Sequence, residues 1–174
     1  MVTHHDWIGH VNQSVTRDSS VLSEYIAQTS SVNHVGAVLA LTMSPRFSCL
    51  PVLRISIDDA TIVSRAADVE FSAVLDSRAV DFPIILDRVG SNARFTLSSA
   101  GVDQIKLRSV VDLASWATFK WSLSPDAPRL SNVASVDTAP ATSGEIDFSL
   151  LGSEKTLRAM EKMCKSHKPI PLAN

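Results

Sequence analysis

The chain has 174 residues, 45% of them hydrophobic and 20% charged, with a formal net charge of −2. That length lets one domain bury a core unaided, and the composition is neither that of a disordered chain nor that of a polyanion binder, so nucleic acid is not expected as a partner. The longest apolar stretch, Val35 to Leu41, falls far short of the roughly 20 residues that span a bilayer, and the first residues lack the basic-then-apolar order of a secretion leader.

Residues 1–17 are polar apart from a few positions such as Trp7 and read as a flexible lead-in to a single domain over 18–168. Asp18, Ser19 and Ser20 are good helix N-caps, and Val21, Leu22, Tyr25 and Ile26 recur at helical spacing, which predicts a short N-terminal helix. From Val35 the period changes to two. Val35, Ala37, Leu39, Leu41 and Met43 alternate with smaller or polar residues, as do Leu53, Ile55 and Ile57, and both runs read as strands. The link between them, Ser44 to Pro51, contains two prolines and fits a loop with Cys49 at the mouth of the second strand.

Further strands are predicted around Val69–Leu75, Phe82–Leu86 and Ala93–Leu97, the last two joined by a hairpin-type turn at Gly90-Ser91-Asn92. Residues 101–114 fit neither period and read as a short helix or turn. Trp116 to Leu123 alternates again with aromatic residues on both faces, and 124–144, with Pro125, Pro128 and Pro140, forms the one long loop. The end of the chain is the clearest segment. Ile146, Phe148 and Leu150 make a strand, Gly152 a turn and Ser153 an N-cap. Leu157, Met160 and Cys164 then share one helical face, with Glu154–Arg158 and Glu161–Lys165 as i,i+4 pairs opposite. The helix stops near His167, and 169–174 is a tail. Short strands at this spacing predict a mainly β protein, an antiparallel β-sandwich with a short N-terminal and a C-terminal amphipathic helix.

Cys49 and Cys164 are either a structural disulfide or two buried reduced thiols, since free cysteine is itself one of the most buried residue types. A catalytic thiolate is disfavoured on the inward face of an amphipathic helix. His4, His5 and His10 with Asp6 contain metal-ligating groups at no recognisable spacing, so no metal is expected there. Asp58, Asp59, Asp68, Glu70, Asp76, Asp81 and Asp87 supply carboxylates for acid/base chemistry or calcium, yet each falls at a strand end or turn, where Asp is favoured anyway. No phosphate loop, dinucleotide fingerprint, nucleophile elbow or zinc-protease motif occurs, and no cofactor is expected. Trp116 and Trp121 are the candidates for an exposed aromatic surface that meets a partner, Trp116 the more so, with core packing as the plainer account of both.

The run Cys49-Leu50-Pro51-Val52-Leu53-Arg54-Ile55 and the ending Phe148-Ser149-Leu150-Leu151-Gly152-Ser153, followed by Leu157, Met160 and Cys164, resemble a group of small bacterial envelope proteins. These are the TagO or VasI accessory proteins of type VI secretion systems and, more distantly, the invasion-associated locus B proteins. The likeness covers residues 35–167 in outline and is specific only over the last 20. Cys49 precedes its strand where the family cysteine closes it, the family's Arg-x-Asp pattern is reduced to Val74-Leu75-Asp76-Ser77-Arg78, and residues 1–34 have no counterpart. The resemblance implies a Cys49–Cys164 disulfide and an exported, non-enzymatic accessory protein, periplasmic or secreted, that serves an envelope or secretion assembly through protein contacts, its leader lying outside this sequence. Two other expectations stand beside it: a small hydrolase using carboxylates of the Asp58–Asp87 region, and a viral or phage structural protein. The oligomeric state is left open by the sequence.

Overall fold

The computed structural model describes residues 1–15, 21–58, 69–76, 78–80, 84–89, 92–97, 115–123 and 143–166. In chain order these form β1 (Val2–His4), β2 (Trp7–Val15), β3 (Val21–Ser30), β4 (Ala37–Met43), β5 (Val52–Ile57), β6 (Val69–Leu75), β7 (Arg78–Val80), β8 (Ile84–Val89), β9 (Asn92–Leu97), β10 (Trp116–Leu123), β11 (Ser143–Ser149) and the helix α1 (Ser153–Lys165). Two antiparallel sheets result, one ordered β1-β2-β3-β4-β5-β9-β8 and the other β11-β10-β6-β7. The mainly β, sandwich-like class expected from the sequence is the one observed.

Register and alternation place the core. Gly9, Ala27, Leu41 and Leu53 lie in one row across β2 to β5, and Val11, Tyr25 and Met43 in the next. On this face Trp7, Tyr25, Ala27, Ala37, Leu39, Leu41, Met43, Leu53, Ile55 and Ile57 are all buried, because period two puts alternate residues on the same side. The second sheet supplies Ala117, Phe119, Ile146 and Phe148 to the same core. The Phe119 and Phe148 rings meet edge to face, with centroids 5.7 Å apart, the arrangement that aromatic quadrupoles favour.

α1 completes the covering layer. It runs across β1, β2, β3 and β4, burying Thr156, Leu157, Met160 and Cys164. The close approach depends on Gly9, where an added Cβ would fall 2.9 Å from Met160 Cε and 3.1 Å from Thr156 Cγ2. The helix begins at Gly152, which has φ 90 and sits against the His4 carbonyl oxygen. Its far end is held by the Cys49–Cys164 disulfide, Cα to Cα 5.9 Å. Cys49 is delivered there by a single 3-10 turn, Pro45–Phe47, followed by left-handed Ser48 and Cys49, with the Cys49 N–H donating to the Ser44 carbonyl at 2.9 Å.

The N-terminal third departs from the sequence reading. The expected helix after Asp18 is the strand β3, described from Val21, and the expected flexible lead-in is β1 and β2. Residues 2–4 and 7–15 are therefore strands of the first sheet, with Trp7 fully buried. Val21, Leu22, Tyr25 and Ile26 satisfied helical spacing because they lie on both faces of a strand. The inward positions beside Tyr25 are Ser23, Ala27 and Thr29, all buried but too small or polar to reveal an alternation.

Elsewhere the differences are smaller. Val35 is outside its strand, which starts after the left-handed Gly36. Ser153 is the first helical residue and makes no side-chain cap, because Gly152 occupies the cap position. The β8–β9 hairpin exists, with Val89 opposite Asn92, although its turn residues, the segment 101–114, most of the 124–144 loop and the tail lie outside the described residues.

Two substitutions test the helix seating. Gly9→Val should cost about 1–3 kcal/mol in denaturant unfolding as an overpacked contact, with Gly9→Ala milder because the Met160 terminus is flexible. Gly152→Ala should exceed Gly9→Ala, since it adds a left-handed penalty of about 1–2 kcal/mol to a contact with backbone, which cannot rotate away. Burial also pushes the Tyr25 phenol above its ordinary 10.0. The unfolded chain loses that proton first, so this contribution to stability is complete below pH 10 and is lost as pH rises through the raised value. As Tyr25 is the single tyrosine, a spectrophotometric titration should show phenolate appearing at higher pH in the folded than in the unfolded protein.

Candidate functional site

Of the carboxylates nominated from the sequence, Asp58 and Asp76 belong to different sheets. Asp58 follows β5 in the seven-stranded sheet, where its backbone N–H donates to the Gly36 carbonyl at 3.1 Å. Asp76 lies in the β6–β7 turn of the other sheet. Its φ is 42, and its two carboxylate oxygens accept the backbone N–H groups of Ser115 at 2.8 Å and Trp116 at 3.0 Å. The Asp76 N–H in turn donates to the Trp116 carbonyl at 3.2 Å. Asp76 is thus a clamp on the start of β10, a turn residue with its acceptors occupied. Glu70 and Asp87 are strand residues of β6 and β8, and Asp59, Asp68 and Asp81 lie outside the described residues.

The histidines at the start of the chain are distributed along β1, its turn and β2: His4 opposite Trp7, His5 in the turn at φ 50, and His10 farther along β2. Among the described residues, no group of three or more His, Cys, Asp or Glu side chains could hold a metal ion.

The two tryptophans of β10 separate. Trp116 is 41% exposed and Trp121 7%. Trp121 is paired with Gly144 of β11, and its indole nitrogen would be 2.7 Å from a Cβ at that glycine. The Trp121 ring is therefore a core element laid over a glycine, and of the two tryptophans only Trp116 is exposed. Alternation could not distinguish them because the glycine that makes room for Trp121 belongs to another strand. Beside Trp121, a shallow cleft of about 390 Å³ is lined by Ser72, Lys120, Ser143 and Glu145, with the Lys120–Glu145 pair at 2.9 Å on its wall.

A second cleft, of about 260 Å³, adjoins the disulfide loop and is lined by Leu22, Glu24, Arg46, Phe47, Leu50 and Arg54 among others. Arg54 Nη1 reaches Glu24 Oε1 at 3.5 Å, while Arg54 Nε is buried with no hydrogen-bond partner. Phe47 and Leu50 stand exposed at its rim. Sequence reading missed this cleft because its members come from four separate segments and each alone looks like a surface residue. Its lining mixes apolar Leu22, Met43, Phe47 and Leu50 with Glu24, Arg46 and Arg54, and the unfilled Arg54 donor is closed off beneath it.

Comparison of the chain with protein-family models, curated proteins and solved structures returns no match. The resemblance to envelope accessory proteins therefore enters only as a proposal.

As Asp76 clamps the start of β10, Asp76→Ala should lower stability by about 0.5–1.5 kcal/mol through the loss of these exposed hydrogen bonds, whose N–H groups then turn to water. Asp76→Asn, which keeps one acceptor, should lose less. Denaturant titration of both variants checks this.

Proposed function

We propose that this protein is an exported, non-catalytic accessory protein of a bacterial envelope or secretion assembly, acting in the periplasm through protein contacts. The observation that carries the reading is the Cys49–Cys164 disulfide, which closes a separation of 115 residues and ties α1 to the β4–β5 loop. Disulfides form and persist in oxidising compartments and are rare in the cytosol. No helix among the described residues is long and apolar enough to cross a membrane, which agrees with action as a domain held by its contacts. The cleft between Glu24, Arg54 and the Phe47–Leu50 rim is the surface we assign to the partner, because its exposed apolar rim would be covered by an incoming chain.

Fractionation of the native host tests the compartment. Osmotic shock should release the protein, and thiol titration under denaturing, non-reducing conditions should find no free thiol; a cytosolic protein with two free thiols would overturn the reading. Removing the crosslink as the Cys49→Ser, Cys164→Ser double variant should lower stability by at most about 4–5 kcal/mol on the chain-entropy argument, with the loss measured by denaturant unfolding.

A further inference from the structure

We propose that the outer edge of β2 from Val11 to Val15 is a dimerisation edge, pairing antiparallel with the same segment of a second copy about a two-fold axis through Gln13. β2 is nine residues long, and β1 covers only its first part, pairing Trp7, Ile8 and Gly9. Beyond Gly9, β2 is paired through to Val15 on its β3 side alone, so over six residues one row of backbone donors and acceptors lacks a strand partner among the described residues. The side chains there are open: Val11 through Val15 are all exposed, with Val15 at 73%, and Val21 opposite it at 37%.

Such an edge invites pairing with another strand unless it is blocked by charge, proline or a covering segment. The β11 edge of the four-stranded sheet, by contrast, is blocked. Along β11, the Asp147 carbonyl accepts from Val32 N–H at 3.0 Å and Ser31 Oγ at 2.9 Å, the Asp147 N–H donates to Asn33 Oδ1 at 2.8 Å, and the Ser149 carbonyl accepts from the Trp7 indole at 2.9 Å. Among the described residues, none covers the β2 edge in this way. Trp7 to Val15 contains no Asp, Glu, Lys, Arg or Pro, so nothing in the strand repels a copy of itself.

The segment also complements itself, and this selects a second copy as the occupant. With Gln13 on the axis, Val11 faces Val15 of the other copy, Asn12 faces Ser14, and Gln13 faces Gln13. Every cross-strand pair is then apolar with apolar or amide with hydroxyl or amide, the matches that stabilise antiparallel neighbours. The two-fold closes the contact, so a dimer forms and growth stops there. The proposal stands on β2 alone and does not depend on the compartment or the partner proposed above.

Light scattering on a sizing column tests it. The wild type should run as a dimer that dissociates on dilution, and Gln13→Lys, which sets two like-charged side chains directly opposite each other with Cβ atoms about 5 Å apart, should raise the dimer dissociation constant at least about tenfold with unchanged circular dichroism. As a register check that does not rely on that variant, Gln13→Cys should oxidise to a crosslinked dimer while Ser14→Cys, facing Asn12, should not. A wild type that is monomeric at its solubility limit, a dimer indifferent to Gln13→Lys, or equal crosslinking at both positions would overturn the proposal.

Discussion

The hydrogen bond from the Trp7 indole to the Ser149 carbonyl, 2.9 Å long across 142 residues, fixes how the ends of the chain meet. Trp7 is fully buried on the first sheet, and Ser149 is the last residue of β11 on the second. The bond therefore joins the sheets at the point where the chain leaves β11 for α1. Three residues later Gly152 passes the His4 backbone in a left-handed conformation, and the helix starts from there. A buried indole N–H without an acceptor would be penalised, so burying Trp7 and placing β11 are one requirement. With the start of α1 set in this way and its end set by the disulfide, the bare backbone at Gly9 decides how deeply the helix lies between the two pins.

What could be read from the sequence follows the size of the side chains on each inward face. β4 and β5 point Leu39, Leu41, Met43, Leu53, Ile55 and Ile57 inward, and their period of two is plain. α1 points Leu157, Met160 and Cys164 inward, and its period is equally plain. β3 fills its inward positions with Ser23, Ala27 and Thr29 around Tyr25, because the helix packs closely over that part of the sheet and leaves no volume for larger residues. Its larger residues Leu22 and Ile26 lie on the other face, so a strand took on helical spacing. The first 17 residues read as a lead-in because they are mostly polar, and on the inward face of β2 the only large buried side chain is Trp7, with Gly9 bare beside it and Val11 exposed.

The candidate sites divide along the same line. Features whose meaning is local survived, such as Asp76 as a turn residue and Cys164 facing the core from a helical register. Features that depend on a neighbour from elsewhere in the chain did not. Trp121 is a core residue because Gly144 lies beneath it, and the Arg54 cleft exists because the β4–β5 loop brings Arg46, Phe47 and Leu50 beside β3 and β5. Sequence spacing contains no information about such pairs unless the residues are covalently matched, as the two cysteines are.

The treatment of sheet edges completes the picture. Ser31, Val32 and Asn33 leave β3 and turn back over β11, and Asn33 alone serves the edge three times, accepting from Asp147 N–H and donating to the Glu145 carbonyl and the Asp147 carboxylate. That carboxylate is also anchored by the Thr118 hydroxyl at 2.6 Å. Such local side-chain bonds hold the loop where another strand would otherwise add. The β11 edge is thus closed by directed bonds, whereas the Val11–Val15 stretch of β2 has no strand partner on its outer side among the described residues and contains no Asp, Glu, Lys, Arg or Pro. Since a single charge or proline is enough to block strand addition, these two edges differ in the one property that the proposed pairing of two copies requires.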